Sequence, residues 1–327
     1  MDKWKLALTA GAMSAALLVG ATACADENAG SSGGSTRLSI SATGADSLPF
    51  MAILQAGIDK GWFQEAGVDV NLYSGGGGGN TLRVVTSGDA DMAIAGNTSV
   101  ILAARQPNSK LKIVAPWFQL NDFSWIAPAA ATLDGATLGF SSAGSSTELI
   151  VKGLEARLGV RSQAVGTMGD NWTAARAGRI TAGWAMQPFI ASKVANEGAK
   201  VLVDSRKILG DMPADLVAVN TTYAEQNPEN ITKFFKVVTR LNDWVVGDPK
   251  AAAETLAPLV GVSVADMQKA FADTPDLAKG YSLKIDPKNL DNLSSLMVGA
   301  GQISEPVDWS TTLDQRYLPE DDRAGFK

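Results

Sequence analysis

Short apolar runs alternate with stretches of helical spacing along the first two thirds of the chain. Residues 37–42 alternate apolar and polar positions and predict a first strand. Residues 50–58 have helix spacing and stop near Gly61. Strands are predicted over 68–73, 92–95 and 111–115, with a helix over 98–104 between the last two. A second unit opens after Asn121. It carries predicted strands at 137–140, 164–168, 180–186 and 201–203, and helices at 147–158 and 172–177. Strands alternating with helices predict an α/β architecture with a largely parallel sheet. Residues 216–219 predict a strand that rejoins the first unit. Helices dominate after it. Asn227-Pro228, Asp248-Pro249 and Asp286-Pro287 each supply a cap and a first-turn proline.

One stretch stands apart. Five consecutive glycines, 75–79, run into a helix pattern carried by Leu82, Val84 and Val85, which ends at Ser87-Gly88. Glycine lets backbone approach whatever lies before it. A helix start offers unpaired N–H groups and the positive end of a dipole. Together they describe a seat for an anion. Five glycines exceed what a turn needs, so ligand contact is expected at Gly76, Gly77 and Gly78, with Asn80 and Thr81. The second unit repeats the plan. Its loop of small polar residues, 141–147, opens the helix at 147–158, and Ala177-Gly178 ends a helix before a strand as Ser87-Gly88 does.

Composition narrows the chemistry. The 327 residues contain no histidine, which removes the commonest general base and metal ligand. Cys24 is the single cysteine, so neither an intrachain disulfide nor a thiolate metal cluster forms. No cofactor and no metal are expected. A formal charge of −6 argues against nucleic acid as a partner. At 46% hydrophobic and 19% charged, the chain reads as globular, with length for one large domain or two lobes.

Lys3 and Lys5 precede an apolar run at 6–19 that is too short to span a membrane comfortably, followed by small residues up to Cys24. Residues 1–23 therefore read as a secretory signal. Residues 18–24 resemble a bacterial lipobox, with Ala21 where that pattern prefers leucine. Lipidation of Cys24 is expected, anchoring the chain on the extracytoplasmic face of the cell membrane, the alternative being a chance cysteine beside an ordinary signal peptidase site. Residues 24–36 read as a flexible tether. Gly30, Ser32 and Gly34 formally match a nucleophile elbow, but without its strand and helix.

Several segments carry a resemblance to a known family. The glycine loop before Ser87-Gly-Asp-Ala-Asp-Met-Ala-Ile is one, and Leu133-Asp-Gly-Ala-Thr-Leu-Gly-Phe-Ser-Ser-Ala-Gly-Ser-Ser-Thr147 is a second. Ala175-Arg-Ala-Gly-Arg-Ile-Thr-Ala-Gly-Trp-Ala-Met-Gln-Pro-Phe189 is a third, and the tail from Ile303 to Leu318 a fourth. In this order, over about residues 37–318, they resemble ABC-transporter solute-binding proteins of the nitrate/sulfonate/taurine group, which also includes thiamine-pyrimidine-precursor binders. The resemblance implies a type II periplasmic-binding-protein fold: two α/β lobes, joined by crossovers near 119–122 and 213–216, with a ligand cleft between them. Lobe 1 is then 37–121 and lobe 2 is 122–214, while 215–327 returns to lobe 1 and adds C-terminal helices. The implied partners are a small anionic ligand, an ABC permease and its ATPase, and the protein is expected as a monomer.

In such a fold both helix starts face the cleft. Gly144, Ser145, Ser146 and Thr147 thereby join the glycine loop as expected contacts, the alternative for both loops being ordinary turns. Asn97 and Thr98 are either cleft contacts or a plain helix cap. Phe50 either lines the cleft or starts a core helix. Trp172, beside Asp170 and Asn171, is the tryptophan expected at the ligand, and Trp184 is expected in the core. Arg83 is expected to pair at the surface. Gln187 stands where the family often has glutamate, and Thr181 where it often has aspartate. Losing those carboxylates either favours an anionic ligand or is neutral surface variation.

The rival class is an enzyme. Ser109 and Lys112 match Ser-x-x-Lys, but Ser-Asp-Asn and Lys-Thr-Gly are absent. The fold also appears in pyrimidine synthases of thiamine biosynthesis, which rely on histidine and a cysteine-rich motif that this chain lacks. A binder is therefore expected, of aliphatic sulfonates such as taurine first, with aromatic carboxylates or sulfonates, nitrate and pyrimidines as alternatives. A ligand-sensing lipoprotein reads the same way.

Overall fold

A computed structural model describes residues 36–326. The signal segment, Cys24 and the tether up to residue 35 lie outside the described residues. In chain order the strands are β1 Arg37–Thr43, β2 Asp69–Gly75, β3 Met92–Gly96, β4 Leu111–Trp117, β5 Ser124–Pro128, β6 Thr137–Phe140, β7 Arg161–Ala164, β8 Ala182–Ala185, β9 Ala199–Asp204 and β10 Asp215–Asn220. They form two five-stranded sheets, ordered β2-β1-β3-β10-β4 and β7-β6-β8-β5-β9. Helices flank both, giving two α/β lobes joined by crossovers at 118–123 and 210–214.

The sheets are mixed, which corrects the largely parallel expectation. β1 runs parallel to β2 and β3, but β10 is antiparallel to both β3 and β4. β6 runs parallel to β7 and β8, while β5 is antiparallel to both β8 and β9. In each lobe the reversed strand is the one that arrives from a crossover. It enters beside the third strand instead of adding to an edge.

The core explains the regular elements. Met92, Ala93 and Ile94 of β3 are fully buried, as expected for a central strand covered on both faces. Pro228–Gly247 buries Ile231, Phe234, Phe235, Val238, Leu241 and Val245, which recur at helical spacing as one apolar stripe. Phe234 stacks on Phe63 with ring centroids 5.7 Å apart. Each such buried side chain contributes about 1.5–3 kcal/mol. Residues 164–168 do not form the expected strand. The strand is β7, and Met168 already opens the helix Met168–Arg176. Thr167 and Asp170 form a reciprocal capping box there, which fixes the helix start and ends any strand before it.

The segment from residue 215 onward does more than return to the first lobe. Pro228–Gly247 and Pro249–Leu259 pack on Pro49–Asp59 of that lobe. Val264–Asp273 packs on Phe189–Glu197, and Pro287–Gly299 on Ser146–Leu158, both in the second lobe. No helix among the described residues is long and apolar enough to cross a membrane.

Candidate functional site

A cavity of about 940 Å³ lies between the lobes. Its wall is built where strands end: Thr43 and Gly44 after β1, Ser74 and Gly75 of β2, Gly96 of β3, Ser141 after β6 and Trp184 of β8. Ligands in open α/β sheets collect at this edge, outside the carboxyl ends of the parallel strands.

The glycine loop forms one wall through Gly76, Gly77, Gly78 and Gly79. Gly77 has φ +118°, a conformation that L side chains rarely adopt, and precedes the helix Gly78–Ser87. That helix has no side-chain cap. Gly77 donates to the Gly75 carbonyl (2.8 Å) and Thr81 to the Gly77 carbonyl (3.0 Å). The N–H groups of Gly78, Gly79 and Asn80 meet no acceptor among the described residues. Arg83, one turn in, also lines the cavity. It forms no ion pair among the described residues, and its guanidinium only approaches Asn80 Oδ1, at 3.5 Å. The expected surface pair for Arg83 is thus replaced by a cation facing the cleft.

The serine loop forms the opposite wall, with Gly144, Ser145, Ser146 and Thr147 all lining it. Here the polar groups engage one another. Glu148 N–H donates to Ser145 Oγ (3.2 Å), and Glu148 Oε2 accepts from Gly144 N–H (2.7 Å). Ser141 N–H donates to Thr147 Oγ1 (2.9 Å).

The remaining expected contacts lie off the wall, each for a local reason. Asn97 and Thr98 are fully buried and form a joint between lobes. Asn97 Oδ1 accepts from Ser146 Oγ (2.8 Å) and from Thr98 N–H (2.5 Å), while its amide donates to the Pro213 carbonyl (2.6 Å). Ser99 Oγ adds a bond to the Gly144 carbonyl (3.1 Å). The lobes are so close here that a Cβ on Gly96 would sit 2.6 Å from Ser146 Oγ. Thr81 is buried beneath the glycine loop, its hydroxyl sharing a hydrogen bond with that of Thr43 (2.7 Å). Asn80 is exposed and turned to Arg83. Phe50 stacks on Phe118 in the core, centroids 4.2 Å apart. Trp172 is buried in the second lobe and donates to Glu197 Oε2 (2.7 Å). Lys193 and then Trp172 hold that carboxyl down at about 2. Gln187 Oε1 accepts from Ala191 N–H (3.1 Å) and is occupied at a helix start.

The wall also holds residues that sequence reasoning passed over. Trp184, expected in the core, is half-buried on the wall and donates to the Gly166 carbonyl (3.0 Å). Phe123, Met168 and Met186 extend an apolar surface around it. The signal was available: Trp184 and Met186 sit at the end of a strand parallel to β6, the edge where ligands collect. Two carboxylates, Asp46 and Asp215, are on the wall as well. Burial pushes the Asp215 carboxyl up to about 7. Asp122, on the first crossover, is pushed well above the carboxylate range by burial and further by the charge of Asp215.

Known proteins bear on this geometry. Residues 49–252, more than half of the chain, match the family model described as NMT1/THI5 like. No curated protein sequence matches. Among solved structures, the alkanesulfonate-binding protein SsuA from Xanthomonas axonopodis pv. citri bound to MOPS aligns with TM-score 0.67 at 15% identity, covering 82% of this chain and 94% of that one. The ligand-binding component of an ABC-type import system from Staphylococcus aureus aligns with TM-score 0.72 at 14% identity, covering 88% and 99%. A desulfurization enzyme, DSZB, aligns with TM-score 0.62 at 14% identity, covering 86% and 97%. These likenesses establish the periplasmic-binding-protein fold.

Proposed function

This chain belongs to the NMT1/THI5-like family, and from that premise we propose that it is the extracytoplasmic solute-binding component of an ABC importer. Its ligand is a small organic anion, an aliphatic sulfonate of the taurine type. The observation that carries the reading is the glycine loop, where a helix start with three unoccupied N–H groups opens into the interlobe cavity beside Arg83. The likeness to an alkanesulfonate-binding protein and to an ABC import component supports it. The apolar wall of Trp184, Phe123, Met168 and Met186 suits the tail of such an anion. That same wall supports a second reading, an aromatic carboxylate or sulfonate, or a pyrimidine precursor.

In this reading the ligand bridges the glycine and serine loops and shifts the lobes toward a closed state. The closed monomer presents itself to a membrane permease with its ATPase, and a lipid on Cys24 keeps it at the membrane. The DSZB likeness raises catalysis as a rival. Against it, the cavity wall holds neither histidine nor cysteine to supply or activate a nucleophile.

A thermal-shift panel of alkanesulfonates, aromatic acids, nitrate and pyrimidines tests the proposal, followed by small-angle scattering on the compound that binds. Stabilisation by a sulfonate with compaction of the protein is the expected result. Stabilisation by neutral pyrimidines alone removes the anion reading. Binding without compaction removes the closure mechanism.

A further inference from the structure

Two carboxyl groups stand at the two crossovers, Asp215 buried and Asp122 half-buried. Asp215 opens β10 directly after the second crossover, is 6% exposed, and lines the cavity. Its carboxylate has no hydrogen bond or ion pair among the described residues. Asp122 stands on the first crossover, with its Oδ1 buried and unpartnered. The negative charge of Asp215 reaches Asp122.

The groups around them offer no neutralising partner. On the cavity wall stand Asp46, a third carboxylate, and Arg83, which approaches Asn80. From the C-terminal segment comes Tyr281, a buried phenol pushed up by burial and by the Asp122 charge. On the second crossover lies Asp211, already paired with Arg206 (2.6 Å) and Lys279 (2.9 Å), and Lys279 also lies 4.0 Å from Asp286. Neither Asp122 nor Asp215 has a cation within ion-pair distance among the described residues.

We infer that Asp122 and Asp215 act as one proton-holding pair beside the cleft, and that an anion enters this site together with a proton held on the pair. The inference rests on the anion reading above. Carboxyls that feel one another's charge, with little water and no cation at hand, do not ionise independently, so the pair titrates as a unit. An anion at the glycine loop adds negative charge to the same cavity and strengthens the hold on that proton. With the pair ionised, Asp46, Asp122 and Asp215 together outweigh Arg83 and disfavour anions. Asp215 thereby becomes a charge-selecting residue: it admits an anion when protonated and opposes one when ionised. Linkage then makes anion affinity fall as pH rises past the pair's titration, by up to about tenfold per pH unit.

Carboxyl carbon NMR on the ligand-free protein tests the pair without any ligand. One aspartate of the pair titrating above pH 6, and moving down in Asp122→Asn, supports it. Both titrating below pH 5 overturns it. Calorimetry with 1-butanesulfonate, in buffers of different ionisation enthalpy at pH 6 and 8, tests the coupling. The expected result is proton uptake approaching one per ligand and affinity about tenfold weaker at pH 8. In Asp215→Asn the pH dependence disappears and binding at pH 8 recovers, with thermal melts confirming that the variants fold. Proton release on binding, or weaker binding by Asp215→Asn at both pH values, overturns the coupling, because an ionised Asp215 is then holding a positive group. If butanesulfonate fails to bind at either pH while the pair titrates as expected, the anion reading falls and the pair stands.

Discussion

The two loops that face each other across the cleft look alike in sequence and differ in what their backbones are free to do. Both are small-residue loops that open a helix. The glycine loop has no side chain with which to cap its helix, and the N–H groups of Gly78, Gly79 and Asn80 stay open. The serine loop caps itself through Ser145 and sets the carboxylate of Glu148 in the first turn of its own helix. A carboxylate there already satisfies the positive end of the dipole. One loop is thus left open for the proposed anion, and the other is a self-satisfied, polar facing wall. A helix start is a binding site only to the extent that its own side chains leave it unfilled.

The sharpest way to break this contrast is Gly77→Val. A branched side chain at φ +118° forces the loop to rearrange. Ligand affinity by calorimetry is expected to fall at least about a hundredfold, at about 1.4 kcal/mol per factor of ten. Affinity within threefold of the parent would remove the glycine loop from the site. Arg83→Gln comes next. Loss of a charge-assisted bond weakens anion binding about tenfold or more, and the loss shrinks at high salt. Neutral ligands should not respond. Glu148→Gln sharpens the contrast from the other side. Removing the competing charge should tighten anion binding about two- to threefold at low ionic strength, and an unchanged affinity would mean that no anion approaches that helix. The smallest effect on binding is expected from Ser145→Ala. It costs about 1 kcal/mol of stability through the lost cap, seen in denaturant melts, while affinity stays within about twofold, because the Ser145 hydroxyl is engaged by its own helix. A tenfold loss of affinity would make the two loops equivalent after all.

Legibility in the sequence followed burial. β3 and β6 were bounded to within a residue, because central strands are apolar on both faces and stand out as runs. β7 was displaced because Arg161, Ser162 and Gln163 form a polar edge strand with no apolar signal. β5 escapes the sequence because its apolar run, Trp125 to Ala127, is too short to show a period and ends at Pro128. In the site, the glycine and serine loops were visible from composition alone. The tryptophans were exchanged: Trp172 lies on the buried face of its helix and Trp184 at a strand end facing the cavity. Residue type reveals that an indole is present, but its direction depends on which edge of the sheet the strand reaches. Asp215 reads as an ordinary strand-start residue until the second crossover carries it to the cleft.

The strand order has a consequence for how the chain is completed. Among the described residues β4 pairs with no strand but β10, which fills the gap between β4 and β3. β10 ends at Asn220, after the whole second lobe. The second lobe's strands, β5 to β9, are by contrast consecutive between Ser124 and Asp204. As the chain emerges N-terminus first, the lobe begun later has its full sheet available sooner. The earlier lobe must wait with an unpaired seam in its centre, and its long-range pairing is the slow kind. Both sheets are complete only once residue 220 has emerged, so the first strands laid down belong to the last sheet to close.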